Sequence, residues 1–370
     1  MSQAAKQAKI EKDRVKIINY RQLLDDIFKL RDNNDHSRQA FEQTTKILTK
    51  NPEFYTGWNF RREIILDLFS DNLDDNQTLL TEDLLLVLSL LKRYPKCYWI
   101  WNHRRWCLFE LVAINRVDWK YEFAIVNKLL ELDPRNFHGW QYRRFVVENI
   151  ENSVKPINND DVSSQSLALL DINVKEFDYT TSKINSNLSN FSAWHNRSKL
   201  IPKIYQLFQN LNNNIPENHI STYEVFKRPY TILVHELELI KTGMYMDPED
   251  TSIWLYLYWL LTNSFFVDDL INNSSEQTYM DLLNEQLQVV EELNELEKED
   301  HIYKQDNCWC LKTIVFLKCL IIKCKTKSTN PKDLLSDETK RHLQTLIEID
   351  SLRKGRYLDQ LSGKANLLPT

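Results

Sequence analysis

Glycine and proline are scarce in this chain, 5 and 10 among 370 residues, and tight strand-to-strand turns depend on both. That scarcity excludes a fold of many short strands. Long apolar runs are missing too; none approaches the ~18 residues that a membrane-crossing helix requires. The segment Met1 to Arg14 is polar and charged, unlike a secretory signal. There is no Gly-rich phosphate loop and no HExxH run, and the 8 histidines are dispersed. Six cysteines (Cys97, Cys107, Cys308, Cys310, Cys319, Cys324) form no pair of CxxC units, and Cys308 and Cys310 would point to different faces of a helix. They read as buried thiols, and no metal site is expected on this chain. A net charge of -5 gives no general field for nucleic acid. These absences predict a cytoplasmic, helical protein that lacks a visible base, nucleophile or metal of its own.

What the chain does have is a repeat. Pro52 to Arg62, Pro95 to Arg105 and Pro134 to Arg144 each carry an aromatic three residues before a tryptophan, a proline six before it, and arginines three and four after it. The tryptophans are Trp58, Trp101 and Trp140. Weaker copies surround Trp194, which keeps one arginine, and Trp254, which keeps none; Trp309 is a candidate for a sixth. A pattern recurring every few tens of residues marks a stacked repeat protein. The expected fold is all-α, a right-handed α-α superhelix of helical hairpins forming one domain over 1–370. Intervals of 43 and 39 residues between the first tryptophans grow to 54 and 60. Polar inserts at 156–166 and 209–219 account for the excess and read as exposed loops.

In each copy an amphipathic segment precedes the Trp helix. Asn51-Pro52, Asp133-Pro134 and Asp247-Pro248 read as helix starts, with a capping side chain next to a proline in the first helical position. The aromatics are expected in the seams between hairpins, and the arginines on acids of adjacent repeats, with Glu63, Glu110, Glu131 and Glu148 as the supply. An acid is favourable at a helix start and a base is not. Glu53 and Glu249 obey this rule just after their prolines; Lys96 and Arg135 break it. Two adjacent cations at helix starts define a candidate anion site, while solvated side chains remain the simpler account.

The block Pro-x-x-Tyr/Phe-x-x-Trp-x-x-Arg-Arg resembles the repeat of protein prenyltransferase α subunits, over roughly residues 15 to 260. A weaker tail reaches Asp350 to Lys354, where that family often has Asp-Pro-x-Arg and this chain has Ser351 for the proline. Asp133 to Val146 and Asn187 to Ser198 look like the Rab geranylgeranyltransferase (type II) α subunit, in a short fungal form.

The resemblance implies a crescent of hairpins wrapped around a β subunit. That partner would carry the zinc, with magnesium a further candidate cofactor, and most of the lipid pocket. The pair would transfer geranylgeranyl from its diphosphate to C-terminal cysteines of Rab GTPases presented by an escort protein. Lys96 matches the lysine that faces the diphosphate leaving group, the one catalytic residue expected here. Tyr98, Asn136 and His138 match positions near the same substrate, and Arg135 is a further substrate-binding candidate from its helix-start position alone. The alternatives are the α subunit shared by farnesyltransferase and type I geranylgeranyltransferase, and a non-catalytic adaptor of tetratricopeptide type. The adaptor fits poorly, since its repeat is 34 residues long with Trp-x-x-Leu-Gly.

Overall fold

The computed structural model describes residues 3–154, 162–211 and 215–368. Every regular element among the described residues is helical, and the helices pair into hairpins of the α-α superhelix type. The chain divides into two compact units, 1–152 and 153–370.

The first unit holds α1 (Gln3–Asp32), α2 (Arg38–Lys50), α3 (Tyr55–Asp67), α4 (Leu73–Arg93), α5 (Tyr98–Ala113), α6 (Trp119–Leu132) and α7 (Phe137–Asn152). Its hairpins are α2–α3, α4–α5 and α6–α7, with α5 lying against both α3 and α7. The second unit holds α8 (Val162–Ser186), α9 (Phe191–Asn210), α10 (Ile220–Phe226), α11 (Pro229–Met246), α12 (Thr251–Thr262), α13 (Ser264–Asn273), α14 (Glu276–Asp300), α15 (Cys308–Thr326), α16 (Asp337–Ile349) and α17 (Lys354–Leu361). There α8–α9, α11–α12, α14–α15 and α16–α17 are the hairpins.

The first helices begin as their sequences dictate. Ser37 caps α2 through the amide of Ala40, Asn72 caps α4, and Asp118 caps α6. Behind the cap of α2, Ala40, Phe41, Thr44, Ile47 and Leu48 form one buried stripe at helical spacing.

The second helices start later than the Asn-Pro and Asp-Pro pairs predict. Asn51, Asp133 and Asp247 instead cap the C-termini of α2, α6 and α11, their amides bonding the carbonyls of Ile47, Leu129 and Gly243. Proline disfavours the helical region for the residue before it, so the preceding helix ends there. Asn51 and Asp247 also accept the amide two residues on, at 3.1 and 3.3 Å, which forms the turn. The proline carbonyl is then taken by the indole N–H of the tryptophan six residues later. Trp58, Trp101, Trp140 and Trp254 each donate to their proline, and Trp194 to Leu188, all at 2.8 Å. This bond explains the fixed spacing: the buried indole needs an acceptor, and the turn supplies it. The side-chain caps of α9 and α12 are Asn190 and Asp250.

A sixth hairpin start is present at α15, capped by Asn307. In that register Leu311, 2% exposed, stands where the other copies have the indole, and Trp309 lies two residues earlier. In α17 the same place belongs to Tyr357, 3% exposed.

The two expected loops are in part ordered helix. Residues 156–161 and 212–214 lie outside the described residues, but 162–166 open α8 with Ser166 buried, and Gln209 and Asn210 finish α9. Glu217 to His219 form a 3₁₀ turn, where His219 is buried and bonds Asp171 at 2.6 Å. A polar composition did not reveal that one histidine would find an acid and go inside.

The arginine three residues after each of the first four repeat tryptophans is almost wholly buried: Arg61 2%, Arg104 1%, Arg143 2% and Arg197 1% exposed. None of the four expected glutamates serves Arg61, Arg104 or Arg197. The acid comes from the first helix of the following hairpin: Asp83 for Arg61, Glu122 for Arg104, Glu236 for Arg197. Arg104 and Arg197 grip their glutamates with two nitrogens at 2.6–2.9 Å. The same carboxylate then receives a hydrogen bond from the second helix of its own hairpin. His103 reaches Asp83 at 2.5 Å, Tyr142 reaches Glu122 at 2.5 Å, and Tyr256 reaches Glu236 at 2.7 Å. Arg61 and Arg197 also lie 3.8 and 3.7 Å over Phe41 and Phe177 of the preceding helix. One arginine thus joins three helices, and it fixes the register between successive hairpins.

Candidate functional site

The turns that begin α5 and α7 bring together four of the five residues singled out by sequence. Asn136 donates its amide to the Pro95 carbonyl at 3.0 Å, tying one turn to the next. Its side-chain oxygen accepts the amides of His138 at 3.0 Å and Gly139 at 3.3 Å, so it also caps α7. His138, 9% exposed, lies beside the Lys96 backbone and packs 6.2 Å from the Tyr98 ring and 4.0 Å from Phe137. Tyr98 is half exposed and meets Trp99 edge-on at 5.2 Å. Tyr55 of the preceding hairpin reaches the other side of Trp99, with ring centroids 5.4 Å apart.

Lys96 stands just before the Cys97 cap position of α5, with its side chain 73% exposed. Its ammonium meets the Asp133 carboxylate at 3.6 Å, an exposed ion pair of the kind that contributes at most about 1 kcal/mol. Arg135 occupies the same place before α7 and is exposed; the structure does not draw it into the group. Each cation lies two residues before the first helical residue, so the dipole acts on it less than the first-turn placement expected from sequence.

Burial pushes the His138 imidazole below its ordinary pKa, outweighing the bond to the Lys96 backbone and the charge of Glu53. It is neutral at pH 7. Burial likewise raises the Cys97 thiol to about 11, so it is no nucleophile. The chemical content of the site is therefore an accessible ammonium, an exposed phenol and a neutral imidazole around a rigid turn. Such a group can receive an anion.

Two charged residues named at helix starts are also neighbours of the site. Asp133, the C-cap of α6, pairs with Lys96. Glu53 acts on both Cys97 and His138 from the hairpin before. The proline register, which aligns Glu53 with Lys96 and Arg135, was the available signal.

Among the described residues, one set of possible metal ligands lies together: Asp83, His103 and Cys107, with ligand atoms within 4.8 Å of one another. It does not fit a divalent ion. One oxygen of Asp83 faces the Arg61 guanidinium at 2.5 Å and the other faces His103. Burial and the Asp83 charge hold the Cys107 thiol well above its ordinary pKa. The equivalent places in other hairpins, Glu122 with Tyr142 and Glu236 with Tyr256, form the same seam without such ligands.

The repeat geometry is that of a known family. Residues 37–68, 80–111, 119–150, 174–204 and 233–264 match the protein prenyltransferase alpha subunit repeat. The chain is 50% identical to the geranylgeranyl transferase type-2 subunit alpha of Candida albicans, across 99% of this chain and 96% of that protein. It is 36% identical to the protein of that name from Saccharomyces cerevisiae, across 94% and 93%. The fold is shared with a chain of Candida albicans protein geranylgeranyltransferase-I complexed with GGPP, at TM-score 0.57 and 19% identity over 94% of this chain and 91% of that one. With its indole-capped turns and five matched repeats, the chain belongs to the protein prenyltransferase α-subunit family, among the geranylgeranyl transferase type-2 α subunits.

Proposed function

We propose that this chain works in the cytoplasm with a β subunit, and that the pair transfers geranylgeranyl from its diphosphate to C-terminal cysteines of Rab GTPases presented by an escort protein. Family membership supports the reaction class. The single observation that carries this chain's own part is the ammonium of Lys96, accessible and restrained only by Asp133.

Zinc bound on the β subunit would make the acceptor cysteine a thiolate. The residues here serve the other end of the reaction. As the bond between the isoprenoid carbon and the diphosphate oxygen breaks, negative charge grows on that oxygen. Lys96 exchanges Asp133 for this anion, an interaction stronger in the transition state than in the ground state. The Tyr98 hydroxyl is free to donate a hydrogen bond to the same group. Asn136 has its amide committed to Pro95, His138 and Gly139, and so acts by holding the turn. His138 packs against the Tyr98 ring and helps to set its place. Arg135 is a second, more distant cation for the diphosphate.

Lys96→Ala should reduce the single-turnover transfer rate of the heterodimer by about 100-fold while leaving subunit assembly unchanged. An unaltered rate would remove Lys96 from the chemistry. Assaying the heterodimer on a Rab protein with its escort and on a CaaX peptide tests the substrate class; transfer to the peptide alone would contradict it.

A further inference from the structure

The Asp350 to Lys354 tail, to which the proposed reaction gives no part, builds a second site. Asp350 is 8% exposed and receives Lys312 at 2.9 Å, Arg353 at 3.0 Å and the Tyr357 hydroxyl at 2.5 Å. Its carboxylate is fully engaged and held well below the ordinary range by these donors, against the opposing effect of burial. Beside it lies a cavity of about 240 Å³ enclosed by α12, α15, α16 and α17. The walls are apolar and aromatic: Trp309, Phe316, Leu343 and Leu346, with the Tyr258 ring tilted against Phe316 at 4.3 Å.

The charge at this cavity does not balance. Lys312, Arg353 and Arg356 all line it, and no acid does. Asp350 behind them offsets one charge. Arg356 is exposed and has no acid partner among the described residues, and its positive charge acts on the Tyr258 hydroxyl. Lys312 lies 4.4 Å over the Trp309 ring, so the cationic side and the aromatic wall adjoin.

An apolar hollow with surplus positive charge at its lip selects a guest with an apolar body and an adjoining anion. Its size decides what kind. Pockets that enclose a whole ligand run to about 300–1,000 Å³, whereas this one is smaller and suits a single side chain. We propose that this cavity is an anchor site for a protein partner, taking one aromatic or aliphatic side chain of that partner while Arg356 and Arg353 pair with a carboxylate next to it. The site is distinct from the Lys96 group and does not depend on the role assigned there.

The test uses the full chain, with whatever subunit purifies alongside it, and two probes that share one body. N-acetylphenylalanine carries the carboxylate; N-acetylphenylalaninamide does not. Saturation-transfer NMR should show the acid binding about tenfold more tightly than the amide, a single charge-assisted contact. Arg356→Gln should abolish that preference and Arg356→Lys should keep most of it. Leu255→Glu, at the exposed rim, should weaken the acid and spare the amide. Both positions are exposed, so thermal melting should not change. Equal binding of acid and amide overturns the proposal, as does binding of neither. So does an unaltered preference in Arg356→Gln. Displacement of the acid by an equal concentration of octanamide, which has no carboxylate, would assign the cavity to an uncharged apolar guest and likewise overturn it.

Discussion

The early hairpins and the late ones solve the same packing problem with different chemistry. In the first unit Arg61 and Arg104 bury their guanidinium groups against Asp83 and Glu122. In the second unit the Arg197–Glu236 pair repeats this, and then the device stops. Where the register calls for an arginine in α12 there is Leu257, 0% exposed, and in α14 the acid's place belongs to Leu293, 2% exposed. Both ends change together, because a lone buried charge is far worse than either complete pair. The ion pair is thus not what makes a hairpin stack; leucines do so as well. Its added effect is directional, since a bidentate arginine with a tyrosine on the same carboxylate permits one register.

The most disruptive way to break this comparison is to remove one member. Glu236→Leu leaves Arg197 buried without its acid and should lower unfolding free energy by about 3–5 kcal/mol, read from urea denaturation. Adding Arg197→Leu imports the late-hairpin solution and should recover most of that loss. A double variant no more stable than the single one would show that the register itself needs the charge.

Acid sharpens the same point. Burial disfavours the Glu236 charge, yet Arg197 with the hydrogen bonds from His235 and Tyr256 holds its carboxyl at about 2 against an ordinary 4.5. A depressed carboxyl contributes stability that is complete above the unfolded value and disappears as pH falls through the folded one. About 3 kcal/mol should therefore be lost between roughly pH 4.5 and pH 2. The Arg197→Leu/Glu236→Leu variant should lack that part of the acid dependence in denaturation curves taken across this range.

A smaller effect is expected from the indole. Trp254→Phe removes the donor to the Pro248 carbonyl and should cost about 1–3 kcal/mol in thermal melting. Leu311→Phe, in a copy that never had the donor, tests overpacking instead and so separates the bond from the volume. Smallest of all should be Glu63→Gln. Glu63 is exposed and does not serve Arg61, so stability should move by less than about 0.5 kcal/mol.

Much of this molecule was legible because its signal is periodic. The proline-to-tryptophan interval reports a hydrogen bond that every full copy makes, so the helical hairpins, their order and the Lys96 position could be read directly. Helix starts were misplaced by three residues because Asn-Pro and Asp-Pro look alike as N-cap and as C-cap turn; only the indole bond to the proline carbonyl distinguishes them. Of the candidate site, Lys96, Tyr98, Asn136 and His138 came together on adjoining turns, whereas Arg135, in the same register, did not.

The linear chain by itself determined the all-helical repeat, the turn chemistry and which cations stand at helix starts, since each depends on residues within a few positions of one another. Tertiary structure decided which acid meets which arginine, that Asp133 restrains Lys96, and that Arg356 closes a cavity walled by α12 and α15. Those pairings join residues about 20 to 100 positions apart across separate helices, and helical spacing carries no information on which stripe of one helix will face which stripe of another.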